Sequence, residues 1–154
     1  MLEHGYRDAG YEYVNIDDCW SLPQRHNGKI VEDPSRFPHG LRNLSSTLHS
    51  WGLKFGLYGD IGTKTCTGYP GFEGNFELDA WTLAHDFKVD SIKVDACNAN
   101  ESDFNITYPA FGRALNATGR PILYSCSWPS DYYEHRHHWE DPDYLNHGIK
   151  QTCN

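Results

Sequence analysis

No stretch of this 154-residue chain approaches the roughly 18 consecutive apolar residues that cross a bilayer. Basic charge is scarce as well. Thirteen lysines and arginines face 21 acids, for a net charge of -8, which argues against nucleic acid or an anionic membrane as the main partner. There is no Cys-x-x-Cys pair for zinc or redox work, and no Gly-x-Gly-x-x-Gly follows an apolar run to cradle a phosphate. The opening residues, Met1 to Asp8, carry no apolar core of a signal peptide. Residues 1–10 read instead as the end of a helix stopped by Gly10. A Met1 inside a helix carries the expectation that the true start lies upstream.

What is present alternates in period. Strands are expected at 13–17, Lys54–Gly59, Ser91–Asp95 and Pro121–Ser125. Helical spacing appears at Leu41, Leu44, Leu48 and Trp51, closed by Gly52. It returns at Leu78, Trp81, Leu83, Ala84 and Phe87, and again over Phe104–Leu115. A long polar connection runs from Ser21 to Gly40, a Gly/Pro loop from Gly62 to Gly74, and Gly148 interrupts a last short helix. Strands that restart after helices are βα units of a parallel sheet. The long connections follow strand ends and the returns are short, which fits a (β/α)₈ TIM barrel better than a doubly wound open sheet. A full barrel needs roughly 250 residues. The expectation is therefore an α/β chain with about four βα units of one catalytic domain, residues 1–154, truncated at both ends.

Two strands end on acid. Ser91-Ile-Lys-Val-Asp95 runs into Ala96-Cys97, and Tyr13-Val-Asn-Ile16 runs into Asp17-Asp18-Cys19-Trp20. One acidic strand end can be a solvated edge or a helix cap. Two, each followed by cysteine, point to the working edge of a parallel sheet. Lys93 lies two residues before Asp95, so the two share a strand face, and the cation would keep the carboxylate ionised as a nucleophile requires. Acids beside an aromatic suit a sugar, whose hydroxyls donate to carboxylates while its C–H face meets a ring. Tyr58, Trp20 and Trp128 supply strand-end aromatics, and ordinary packing is the other reading of both tryptophans.

Four Asn-x-Ser/Thr sequons, at Asn43, Asn100, Asn105 and Asn116, point to a lumenal or secreted route. An odd cysteine in an oxidising compartment is left unpaired, or pairs with residues the chain lacks. His135, His137 and His138 read as a polar surface loop rather than a metal site, and Asp141-Pro142-Asp143 as a turn. No metal and no cofactor are called for.

The stretches Gly10-Tyr-Glu-Tyr-Val-Asn-Ile-Asp-Asp-Cys-Trp20, Phe37-Pro-His-Gly40, Gly56-Leu-Tyr-Gly-Asp60, Lys93-Val-Asp-Ala-Cys97 and Tyr124-Ser-Cys-Ser-Trp-Pro129 resemble, in order, the family 27 glycoside hydrolases. These are α-galactosidases and α-N-acetylgalactosaminidases. The resemblance implies that Asp95 is the nucleophile. Asp17, Asp18 and Lys93 would bind ring hydroxyls, with Tyr58, Cys66 and Cys97 lining the pocket. It also implies Cys66–Cys97 and Cys126–Cys153 disulfides, and a partner for Cys19 upstream of Met1. At the two positions where the galactosidases carry Glu and Leu, this chain has Ser127 and Ser130. Both are small, and so leave room for an acetamido group. The family's acid/base carboxyl follows a Cys-Asn motif like Cys153-Asn154, so it is expected beyond the chain, and nothing in the context of Glu134, Glu140 or Asp143 supports a substitute. The implied substrates are glycoprotein or glycolipid oligosaccharides, and the implied protein is a lysosomal or secreted homodimer. A sugar-binding segment without catalysis is the rival reading. A metal-binding loop protein built on the histidines ranks last.

Overall fold

The computed structural model describes residues 3–128. Four strands, β1 (Tyr13–Asn15), β2 (Lys54–Asp60), β3 (Ser91–Asp95) and β4 (Leu123–Cys126), pair in chain order. All three pairings are parallel, so every connection crosses back over one face of the sheet. Between the strands lie α1 (Leu41–Ser50), α2 (Phe76–Trp81), which continues as a π-helical turn (Thr82–Asp86), and α3 (Phe104–Ala117), entered through a 3₁₀ turn (Glu101–Asp103). This is an arc of a (β/α)₈ barrel.

Alternation along the strands sorts their side chains. Phe55, Leu57, Ile92 and Val94 bury against the helices, which answer with Leu41 and Leu48 from α1 and with Phe104, Tyr108, Phe111 and Leu115 from α3. The α3 residues recur at intervals of four, three and four, a single helical stripe. Phe72 stacks on Phe111 at 4.7 Å between ring centroids, and Phe76 and Tyr124 meet Phe111 edge-on. Each such side chain taken from water stabilises the fold by roughly 1.5–3 kcal/mol.

The opposite, concave face is polar. Asn15, Gly56 and Ser91 stand in register across β1, β2 and β3. The Ser91 hydroxyl donates to Asn15 Oδ1 at 2.9 Å directly over Gly56. A Cβ at Gly56 would collide with both partners, so only glycine lets this cross-strand bond form.

Two expectations need correction. Residues 3–10 form turns, not a helix: Gly5 takes a left-handed φ of 70°, which breaks the run before Gly10. Trp81, expected on the apolar face of its helix, is 53 % exposed and lies against His85 instead.

The loops at the carboxyl edge are tied down by an ion pair. Arg25, in the connection after β1, grips Asp79 of α2 with both nitrogens, at 2.7 and 2.5 Å. The same guanidinium donates to the Gly28 and Gly71 carbonyls. Burial pushes the pKa of Asp79 up, and Arg25 offsets this only in part. Arg25→Met should therefore cost roughly 3–5 kcal/mol in denaturant unfolding, because Asp79 is left buried without its partner. Arg25→Met combined with Asp79→Leu should recover most of that loss.

Candidate active site

The functional side chains sit in rows set by the strand register. Tyr58 of β2 faces Lys93 of β3, which faces Ser125 of β4; one step along, Asp60 faces Asp95. Asp17 follows β1 and Ser127 follows β4, whose extension the Ser127 N–H continues by donating to the Val94 carbonyl.

Lys93 is the centre of charge. Its Nζ lies 3.2 Å from Asp17 Oδ2, 3.7 Å from Asp95 Oδ2, and 5.0 Å above the Tyr58 ring. Burial lowers its pKa, but the hydrogen bond to Asp17 and the charges of Asp95 and Asp17 outweigh that, and the net shift is upward. Lys93 therefore stays an ammonium. Asp95 is held from the other side by the Ser127 hydroxyl, which donates to Oδ1.

Cys66 and Cys97 are bonded to each other, joining the loop after β2 to the loop after β3. The Cys66 sulfur lies 3.6 Å from Asp95 Oδ2 and 3.0 Å from the Tyr58 hydroxyl. A bridged sulfur has no proton, so any hydrogen bond in the second contact uses the one phenol proton, which Asp95 also attracts. Burial, then its hydrogen bond to Asp95 and the charges of Asp95, Asp18 and Asp60, raises the pKa of Tyr58 and keeps it protonated. Asp60 and the two cysteines could outline a metal cluster, but the disulfide removes both thiolates.

The paired acids divide as their adjacency requires. Asp17 turns to Lys93, while Asp18 is fixed to the loop: Oδ2 accepts from the Thr67 hydroxyl at 2.8 Å and its N–H at 3.2 Å, and Oδ1 from Cys19 N–H at 2.6 Å. Trp20 and Trp128 belong to the core. Trp20 is 5 % exposed, donates to the Tyr58 carbonyl at 2.8 Å and meets Phe87 edge-on; Trp128 stacks on Tyr108. Cys19 is a free thiol 3.2 Å from the Thr67 hydroxyl, and Cys126 is disulfide-bonded. All four sequon asparagines, Asn43, Asn100, Asn105 and Asn116, are accessible to solvent. Ser130, Cys153, Glu134, Glu140, the histidines 135, 137 and 138, the turn 141–143 and the helix expected around Gly148 lie outside the described residues.

Sequence reasoning overlooked Asp60 as a site residue. The signal was there, since Tyr58 and Asp60 repeat on β2 the spacing of Lys93 and Asp95 on β3.

Strand-end acids, a lysine and a disulfide gathered at the carboxyl edge of a parallel barrel arc define a (β/α)₈ protein with a built site on its loop face. The chain belongs to the alpha galactosidase A family, whose model matches residues 1–154. The resemblance to family 27 glycoside hydrolases thus holds. The chain is 46 % identical to human alpha-galactosidase A over 157 residues, covering all of this chain and 35 % of that protein. It is 49 % identical to the alpha-N-acetylgalactosaminidase of Gallus gallus over 132 residues, covering 84 % of this chain and 32 % of that one. The crystal structure of alpha-galactosidase I from Mortierella vinacea superposes with a TM-score of 0.75 at 40 % identity, over 80 % of this chain and 32 % of the other. The chain spans about a third of the length of the curated relatives it matches.

Asp60 makes the site sensitive to pH. Burial, opposed by backbone hydrogen bonds and reinforced by Asp95, raises its pKa from 3.8 to about 6. An acid with a raised folded pKa favours the folded state below its unfolded value and loses that contribution as pH rises through the folded one. Relative to Asp60→Asn, the protein should therefore lose stability between pH 4 and about 6.5, by on the order of 3 kcal/mol. Melting temperatures of both proteins across that range measure it.

Proposed function

We propose that this chain is part of a retaining α-glycosidase removing terminal α-linked N-acetylgalactosamine or galactose from glycoproteins and glycolipids. The observation that carries this reading is Asp95, fixed at a strand end between the Lys93 ammonium, the Tyr58 phenol and the Ser127 hydroxyl. Its carboxylate attacks the anomeric carbon, and the bond to the leaving oxygen breaks as that oxygen takes a proton from a second carboxyl. Water then attacks the same carbon, gives its proton to that carboxyl, and releases Asp95 from the glycosyl ester. Asp17, Asp18 and Lys93 bind ring hydroxyls, while Tyr58 and the Cys66–Cys97 bridge form the wall.

The acid/base carboxyl comes from outside the described residues. Within them, Asp17 pairs with Lys93, Asp18 is tied to the Thr67 loop, and Asp60 is buried. Residues 1–154 form part of one barrel domain. The reaction needs no cofactor. A lysosomal or secreted homodimer is the expected form, supported as to compartment by the disulfide and the four accessible sequons. No described helix is long and apolar enough to cross a membrane.

In the intact protein, Asp95→Ala should leave below about one per cent of kcat, and a fluorosugar that traps the glycosyl ester should no longer label it. A variant retaining more would move the nucleophile elsewhere.

Substrate preference follows from Ser127 and Ser130. Small side chains leave space beside the sugar's second carbon, so kcat/KM should favour the α-N-acetylgalactosaminide over the α-galactoside. Ser127→Glu with Ser130→Leu should reverse that order by filling the acetamido space and accepting from a 2-hydroxyl. A wild-type protein that prefers the plain galactoside sinks the argument.

A further inference from the structure

Asp60 is the last residue of β2, fully buried and directly opposite Asp95 in the parallel register. Its two oxygens reach different loops. Oδ1 accepts the Gly62 N–H at 2.8 Å, in the loop leaving β2; Oδ2 accepts the Cys97 N–H at 2.8 Å, in the loop leaving β3. Main-chain bonds close the same fork, from Ile61 N–H to the Asp95 carbonyl at 2.8 Å and from Thr63 N–H to the Asn98 carbonyl at 3.2 Å. The loops approach so closely at Gly62 that a Cβ there would run into the Asn98 backbone. Cys97 then carries the disulfide to Cys66, whose sulfur rests against Asp95 and the Tyr58 hydroxyl. Asp60 is thus shut away from solvent, yet it holds the backbone from which the pocket wall hangs.

We propose that Asp60 is a positioning residue, fixing the Cys66–Cys97 wall and the Asp95 carboxylate for attack by pinning two backbone N–H groups at once. The proposal rests on the reading of Asp95 as nucleophile. An isosteric amide cannot replace Asp60. The asparagine side chain would present one oxygen and one NH₂ to two N–H donors, so one arm of the fork opens.

Charge gives a second consequence. Across the β2–β3 pair Asp60 faces Asp95; Lys93 and Asp17 lie along the same edge, Tyr58 stays protonated, Asp18 is held by the Thr67 loop, and the bonded cysteines do not titrate. An ionised Asp60 repels the Asp95 carboxylate, and that repulsion is relieved as the Asp95 charge passes into the ester. Attack by Asp95 should therefore quicken as pH rises through about 6, where Asp60 ionises.

The test is the rate at which an α-configured fluorosugar with a dinitrophenolate leaving group labels the intact protein from pH 5 to 7.5. That leaving group departs without a proton, so the acid/base carboxyl drops out of the measurement. The dinitrophenolate burst counts active sites, so the rate is read per correctly folded molecule. Asp60→Asn should lower the labelling rate per active site by roughly 10- to 100-fold, the usual effect of removing a group that orients a reacting one. It should also abolish a step near pH 6 that the wild type shows. An unchanged rate per active site, or a wild-type profile without the step, overturns the proposal. If Asp60→Asn does not fold, Asp60→Glu, which keeps two acceptor oxygens but moves them one methylene outward, takes its place, and an unchanged rate per active site overturns the proposal. Turnover of nitrophenyl α-glycosides by a wild type that is labelled at a residue other than Asp95 would instead remove the nucleophile reading, and this proposal with it.

Discussion

The parallel register between β2 and β3 is the constraint on which the rest of the molecule depends. Because strand side chains alternate with a period of two, pairing Tyr58 with Lys93 and Asp60 with Asp95 puts all four on the concave face. A slip of one residue would turn Ile92 and Val94 into the barrel and drive Lys93 and Asp95 against α2 and α3. Two features forbid it. Phe55, Leu57, Ile92 and Val94 fill the layer beneath the helices, and the Asn15–Ser91 bond passes over Gly56, which has no side chain to obstruct it. The site is thus a by-product of how the core packs.

That edge gathers four carboxylates, two of them beside Lys93, and like charges at close range have to be held apart or neutralised. Each acid is managed differently. Asp17 shares the ammonium of Lys93, Asp18 takes N–H and hydroxyl donors from its own loop and Thr67, and Asp60 is buried with two backbone N–H groups. Asp95 keeps an oxygen on the pocket side, between Lys93 and the bridged sulfur of Cys66. Environment, not residue type, assigns the roles.

Much of this was legible in the sequence. Strand alternation and helical stripes survive in composition, so β2, β3, α1 and α3 and the pairing of Lys93 with Asp95 could be read directly. What failed was information that local pattern does not carry. Residues 3–10 form turns because Gly5, inside the expected helix, takes a left-handed conformation; Gly10 is left-handed as a helix stop would be. Trp20 and Trp128 stand at strand ends, where a sugar ring is one partner and the core another. Only the three-dimensional packing against Phe87 and Tyr108 tells which. Asp60 was passed over because neither a cysteine nor a second acid marks it, although its period-two spacing from Tyr58 placed it in the row.

A second strand-end acid at the opposite edge of the sheet offers a contrast with Asp95, the acid proposed as nucleophile. Asp90, at the amino end of β3, is also a strand-end carboxylate, but both of its oxygens are occupied. Oδ1 accepts from Arg120 at 2.6 Å, while Oδ2 meets His49 at 2.6 Å and the Phe55 N–H at 2.8 Å. Arg120 also donates to the Val89 carbonyl, and Leu123 N–H to that of Asp90. This acid binds α1, β2, β3 and the approach to β4 into one unit. Its charge serves structure, with a guanidinium at hydrogen-bond distance. Asp95 has the Lys93 ammonium at 3.7 Å, near enough to attract the carboxylate without holding it in a tight pair. A nucleophile must part from its counter-charge as it attacks, and an acid bound as Asp90 is could not do so without unfastening the sheet. On the proposed reading of Asp95, the two uses of a carboxylate, structural and reactive, lie at opposite ends of the same strand.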